Sequence, residues 1–276
     1  MIIRLFGHVA RKLPIQMFFT VVFYFLYAAV FGVSIVPSIH IVSIGIQRLD
    51  PFGAQSVGVY LQFGVLCGVA LFAYYMTSVL VIGVCMRLSS LGFKPGRYPA
   101  KSFTAWRWLV HGGFFGIAKT MFLPMIRSTG FANIFFRIAG CKIGRNVKIN
   151  SGSLVDCYLL SIGDNVVVGG DALITCHIVE NMHLILERVE IGSNTLIGAQ
   201  SYITPGITIG ENSVIGIGTY LRKGTKLPAN SRITSLAGVS YRQAREIERG
   251  LDRFYLRKPK DQVPPPEVEQ PEEQVE

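Results

Sequence analysis

From Ile143 onward the chain can be cut into sixes. Leading positions fall at Ile143, Ile149 and Val155 and, after a one-residue slip at Ser161, at Ile162, Val168 and Ile174. Five residues, Glu180 to Leu184, then stand outside the frame. It resumes at Ile185 and continues through Ile191, Ile197, Ile203, Ile209, Ile215, Leu221, Leu227 and Ile233. All 15 leading residues are aliphatic, seven second positions are Gly, and 12 fifth positions are Ser, Thr, Ala or Val. Neither a helix, with a period of about 3.6, nor a flat sheet, with a period of two, produces this count.

The count predicts a β-solenoid over residues 143–238, with three short strands per coil and five coils. Each leading aliphatic points into a narrow core, and the small fifth residue packs inward where the chain bends. Such a solenoid exposes unpaired strand edges at both ends. Thr129 to Gly140 is expected to cover the lower edge, and a helix after Gly238 the upper.

The part before the repeats is a different material. Half of all residues are hydrophobic, and the mean hydropathy is +0.41. No Asp, Glu, Lys or Arg occurs from Leu13 to Gln47 or from Pro51 to Met86. Each run exceeds the roughly 20 residues a spanning helix needs. One span is expected near Pro14–Val36, ended by Pro37, and a second near Ser56–Cys85. The first run is too long for a signal peptide, and a second follows it directly. Basic residues flank the outer ends of the pair, whereas the connection holds one Arg. The positive-inside rule therefore puts both ends, and the solenoid, in the cytoplasm. Between Trp106 and Ile126 an aromatic stretch carries Arg107, His111 and Lys119. It is read as interfacial helices with Trp106 and Trp108 at headgroup depth and His111 in the same interface.

The expected organisation is a transmembrane hairpin (1–90), interfacial helices and a cap (91–142), the β-helix (143–238), a C-terminal helix (239–258) and an acidic, Pro-rich disordered tail (259–276). Formal net charge is +10. The last 18 residues hold one Lys and six acids, so the body is more basic still. Such a body suits anionic lipid or phosphate-bearing partners. Arg242, Arg245, Arg249, Arg253 and Arg257 make one stripe on the C-terminal helix, which would suit lipid headgroups or an acidic carrier protein. Nothing points to nucleic acid. The five cysteines, without C-x-x-C spacing, read as free thiols in a reducing compartment.

The repeats resemble those of the hexapeptide-repeat acyltransferases, whose fold is a left-handed parallel β-helix. LPMIRSTGFANIFFRIAGCKIG, leading into the repeats, and CHIVENMHLILERVEIG, inside them, are also similar to the membrane-anchored terminal domains of epsilon-poly-lysine-synthetase-type peptide synthetases. Those domains carry G-H-x-x-E at the break; here the glycine is replaced, leaving Cys176, His177 and Glu180. The resemblance carries over the architecture, not peptide synthesis.

In the acetyltransferases of sugars and antibiotics a T-x-x-H-type segment supplies the base, and Thr175-Cys176-His177 falls at the matching break. The resemblance implies that His177 takes a proton from an acceptor hydroxyl or amine, which attacks an acyl thioester. Histidine can accept and return a proton near neutral pH. Glu180 and Glu187 are the expected carboxylate partners, with Glu180 preferred, and a backbone N–H would hold the oxyanion. His183 is a lesser candidate for contacting the acceptor. The donor would be acyl-CoA or an acyl-carrier thioester used as co-substrate, with no resident cofactor. Gly198, Ala199, Gly216 and Gly218 would lie along its pantetheine arm, and Arg222 and Lys223 would meet its phosphates. The fold itself also demands such glycines, and the two cations read equally as a solvated edge. The family further implies a homotrimer with sites between prisms. The gamma-type carbonic anhydrases share the fold but need three His ligands. Only His177 and His183 occur in the repeats, so no metal site is expected. A non-catalytic trimeric scaffold assisting a membrane-associated synthetase is the alternative of a different class.

Overall fold

The computed structural model describes residues 2–53 and 56–233, with side chains from residue 20 onward and that of Met17. The expected C-terminal helix, its arginine stripe and the acidic tail lie outside the described residues.

Helix α1 (Ile2–Leu49) and helix α2 (Val57–Ser89) form an antiparallel hairpin. Thr20–Leu49 and Val57–Ser89 are each long and apolar enough to cross a membrane. Large apolar side chains such as Phe25, Val33, Leu61 and Val65 point outward along both. The first helix does not end at Pro37 as expected; it continues to Leu49. A proline removes one helix hydrogen bond but is tolerated where a neighbouring helix supports the chain. Here Ser38, the next residue, donates its hydroxyl to Ala70 O on α2 at 2.6 Å.

The Trp106–Ile126 stretch is one 19-residue helix, α3 (Phe103–Met121), followed by a single turn, α4 (Leu123–Ile126). Ser102 caps α3 by accepting from Ala105 N. Arg107 on α3 donates to Ser89 O and Leu91 O, satisfying carbonyls at the end of α2. Helix α5 (Gly130–Ile138) buries Phe135 and Phe136 completely. Asn133 donates to Val147 O at 2.7 Å and Arg137 to Gly144 O at 2.6 Å. The helix thereby lies over the open end of the first coil.

Residues 142–233 wind into a β-solenoid of three parallel sheets, with five, five and four strands among the described residues. One sheet stacks Ile143, Ile162, Ile191, Ile209 and Leu227. The next stacks Ile149, Val168, Ile197, Ile215 and Ile233. The third stacks Leu154, Ile174, Ile203 and Leu221. Inside, the hydrophobic effect selects aliphatic residues at each leading position. Fifth positions such as Val166, Ala172, Ser201 and Thr219 are buried as expected.

Two details of the frame are corrected. Leu154, not Val155, sits beneath Ile174, and Val155 pairs with Thr175. The slip seen at Ser161 is a widened corner, with Asp156 at φ 57° followed by a 3-10 turn, Cys157–Leu159. The aliphatic at 185 is not a coil position either. His177–Glu180 and His183–Leu186 form an antiparallel hairpin, and the coils resume at Ile191 over Ile162. The insertion is thus the whole hairpin rather than five expelled residues, and Leu184 and Leu186 are buried. Gly96–Pro99, arriving from α2, adds an outer strand to this hairpin. An inserted hairpin survives here because its backbone groups are paired within it and with that strand.

One corner pattern escaped the hexad count. Asn146, Asn165, Asn194, Asn212 and Asn230 each stand three residues after a leading aliphatic, all at positive φ between 52° and 63°. Asparagine adopts this left-handed conformation more readily than most residues. Their side chains bond coil to coil, Asn146 Nδ2 to Asn165 Oδ1 at 3.1 Å and Asn165 Nδ2 to Asn194 Oδ1 at 3.0 Å.

Candidate active site

His177 leads the inserted hairpin, where the chain leaves the second coil. Its Nδ1 lies 2.5 Å from Asp156 Oδ2 and 3.1 Å from Thr175 Oγ1. The carboxylate can only accept, so Nδ1–H donates to it and Nε2 carries the lone pair. The Asp156 side chain is 1% exposed and that of His177 is 24% exposed. A buried carboxylate needs partners. The second oxygen of Asp156 has one, because Trp108 donates its indole N–H to Oδ1 at 2.9 Å. The Trp108 ring also meets the His177 ring edge-on, with centroids 4.6 Å apart. Thr175 accepts from His177 N and donates to His177 O, which fixes the backbone beneath the imidazole.

Three elements therefore build the site: the widened corner of the first coil, the hairpin root and α3. Trp108 bridges α3 to the solenoid. His111, expected in the interface, is buried at 1% exposure and shares a 2.9 Å hydrogen bond through Nδ1 with Ser89 Oγ. Burial lowers its pKa, opposed in part by the charge of Asp156. Tyr158 stands between them, its ring centroid 5.0 Å from that of His111. Burial, then Asp156, pushes its phenol well above the ordinary range. The Asp156 carboxylate lies against Tyr158, and the Met86 backbone lies against His111.

The other predicted residues fall elsewhere. Glu180 does not reach His177; its carboxylate pairs with Lys223 Nζ at 2.5 Å. This pair ties the hairpin to a later coil. It also occupies the cation expected to meet donor phosphates. Arg222 is exposed on the same corner. Glu187 donates its N–H to Cys176 O at the hairpin root. His183 holds its own turn through Nδ1 and Asn181 O at 2.8 Å.

The glycines meet fold requirements. A Cβ on Gly198 would lie 2.5 Å from Gly216 C in the coil above. Gly218 stands at a corner with φ 66° and donates to Ala199 O at 2.9 Å. Asp156 is the residue that sequence reading missed; its signal was the slip in the count, first placed at Ser161.

The buried thiols of Cys141, Cys157 and Cys176 are all pushed upward by burial. They stay protonated and are poor nucleophiles. Among the described residues no cluster of three His, Cys, Asp or Glu has the arrangement of a metal site. A histidine whose Nδ1 meets a buried carboxylate has the arrangement a general base requires.

Residues 188–223 match the family model described as the hexapeptide repeat of succinyl-transferase. The match covers the later coils, and the class this segment is similar to is the hexapeptide-repeat acyltransferases. More particularly, the chain is 27% identical over 128 residues to delta-poly-L-ornithine synthetase of Acinetobacter baumannii, 46% of this chain and 9% of the relative. It therefore spans only a small part of that relative's length. Among solved structures, the chain is similar to a maltose O-acetyltransferase from Clostridium difficile 630, at 22% identity and a TM-score of 0.38, covering 51% of this chain and 88% of that one. It is also similar to a galactoside acetyltransferase in complex with coenzyme A, at 21% identity and a TM-score of 0.39, covering 51% and 83% respectively.

Proposed function

We propose that the protein is a membrane-anchored acyltransferase in which His177 is the general base. The observation that carries this is the buried Asp156 carboxylate, held by Trp108 and set against His177 Nδ1. A carboxylate in that place fixes the ring and stabilises the imidazolium formed during reaction. His177 Nε2 takes the proton from an acceptor hydroxyl or amine as that heteroatom bonds to the acyl carbonyl carbon. The tetrahedral intermediate then breaks its C–S bond, and the proton passes to the departing thiolate. The products are an ester or amide and a free thiol.

An acyl-CoA or acyl-carrier thioester is the donor class that suits a hexapeptide repeat of the succinyl-transferase type. The two long apolar helices support a hairpin anchor, and the basic flanks favour a cytoplasmic solenoid. The family of the repeat supports a homotrimer.

The test is thiol release from acetyl-CoA by the full chain in detergent, across amine and alcohol acceptors, compared with His177→Ala. Acceptor-dependent release by the native chain and its loss in the variant is the expected result. Equal release by both rejects His177 as the base. No release with any acceptor by a correctly assembled chain leaves the scaffold reading.

A further inference from the structure

Beside the site lies a groove that the chemistry above does not use. It measures about 600 Å³ and runs between α1 and α3. Phe23, Tyr24 and Tyr27 form one wall, and Gly112 and Gly116 form its floor on α3. A Cβ on either glycine would meet nothing within 4 Å, so the floor is open. By contrast, Gly113 is where the helices touch, since a Cβ there would strike the Phe23 ring. Trp108 belongs to the groove lining, and the same ring donates to Asp156 and contacts His177. The groove therefore ends one side chain from the base.

We propose that this groove holds the hydrocarbon chain of a lipid-borne acceptor, whose hydroxyl or amine lies past Trp108 against His177. The inference rests on the acyltransferase reading and adds the class of acceptor. Among the described residues no lining residue carries a charge, which suits an alkyl chain and not a saccharide or a peptide. The volume falls in the range of small-molecule sites, about 300–1,000 Å³. The groove lies in the N-terminal half of the charge-free run Leu13–Gln47. That half is the one nearer the cytoplasmic leaflet in the proposed topology. The group at the inner end of the groove is the one beside the base, and the base must touch the acceptor. Within a bilayer the lipid tails offer equal apolarity, so fit to the groove makes the selection.

The test uses the full chain in dioleoylphosphatidylcholine nanodiscs. Trp106→Phe leaves Trp108 as the only tryptophan. The probe is 9,10-dibromo-octadecylamine, whose bromines quench a neighbouring indole. Saturable quenching at a few mole per cent is expected. It should fall at least threefold in Gly112→Leu and by less in the milder Gly116→Ala, and persist in His177→Ala. Equal quenching by dibromostearoyl phosphatidylcholine assigns the groove to bulk lipid and overturns the proposal. Preferential quenching by dibromostearoyl-CoA assigns it to the donor chain and also overturns it. So does the absence of saturable quenching. Because His177→Ala retains the binding signal while thiol release is read separately, failure of the groove and failure of the acyltransferase reading are distinguishable.

Discussion

Asp156 and His177 stand 21 residues apart in the chain and meet 2.5 Å apart in space, one at a widened coil corner and the other at the root of an inserted hairpin. The contact fixes which imidazole nitrogen carries the proton. Asp156→Asn keeps the shape but offers an amide that can favour the wrong tautomer. Turnover is expected to fall by about a thousandfold, with little change in KM. Acetyl-CoA thiol release, with circular dichroism to check folding, measures this.

Trp108 gives the second hydrogen bond to that carboxylate. Trp108→Phe keeps an aromatic ring against His177 but leaves Asp156 Oδ1 unpaired. The loss of a donor to a buried charged acceptor costs about 1–3 kcal/mol. A lower thermal midpoint is expected together with reduced turnover. An unchanged midpoint and unchanged kinetics would show that the bond has no such role.

Glu180 and Lys223 form an exposed pair, with side chains 35% and 51% exposed. Water and salt screen such pairs, which contribute about 0–1 kcal/mol. Glu180→Gln is therefore expected to keep turnover within a few-fold and to shift the thermal midpoint little. A hundredfold loss of turnover would return Glu180 to the catalytic role expected from sequence.

Gly198 has no room for a side chain. Its added Cβ would meet the Gly216 carbonyl carbon, a backbone atom, at 2.5 Å. Gly198→Ala must push two coils apart, at a cost of about 1–3 kcal/mol. Thermal unfolding in detergent should show the lower midpoint even without donor. A variant that unfolds normally but binds CoA poorly would instead favour a donor-binding role.

His111 predicts an acid sensitivity. Burial lowers its pKa below the ordinary 6.5, so the unfolded chain takes up this proton first as pH falls. Its contribution to stability is complete above about pH 6.5 and declines below it, until the folded imidazole also protonates. Tyr158, Asp156, Phe93 and Ser89 surround the ring. His111→Phe removes the titration, and Ser89 Oγ retains Met86 O as an acceptor. The fall in thermal midpoint between pH 7 and pH 5 should be smaller in the variant; an identical fall would exclude His111 as its source.

Much of the solenoid was legible because its core is one residue wide. Each coil must place an aliphatic at the same three positions, so the count shows in the chain as Ile162, Val168, Ile174 and then Ile191, Ile197, Ile203. The asparagine three places after each residue of one leading row escaped the count, although a left-handed corner favours that residue. What misled was composition at the exceptions. Ile185 has the right type for a coil position but belongs to the hairpin, where Leu184 and Leu186 face inward. Glu180 is near His177 in sequence, but the strand carries its carboxylate toward Lys223.

The sequence by itself determined the period of the solenoid, the two apolar helices and His177 as the residue to examine. These follow from local spacing and from how many consecutive residues avoid charge. Only the tertiary structure decided which carboxylate serves that histidine and what Trp108 does. Coil stacking and the seating of α3 bring Asp156, Trp108 and His177 together from three separated segments. A contact of that kind depends on the path of the backbone between them, which no local pattern records.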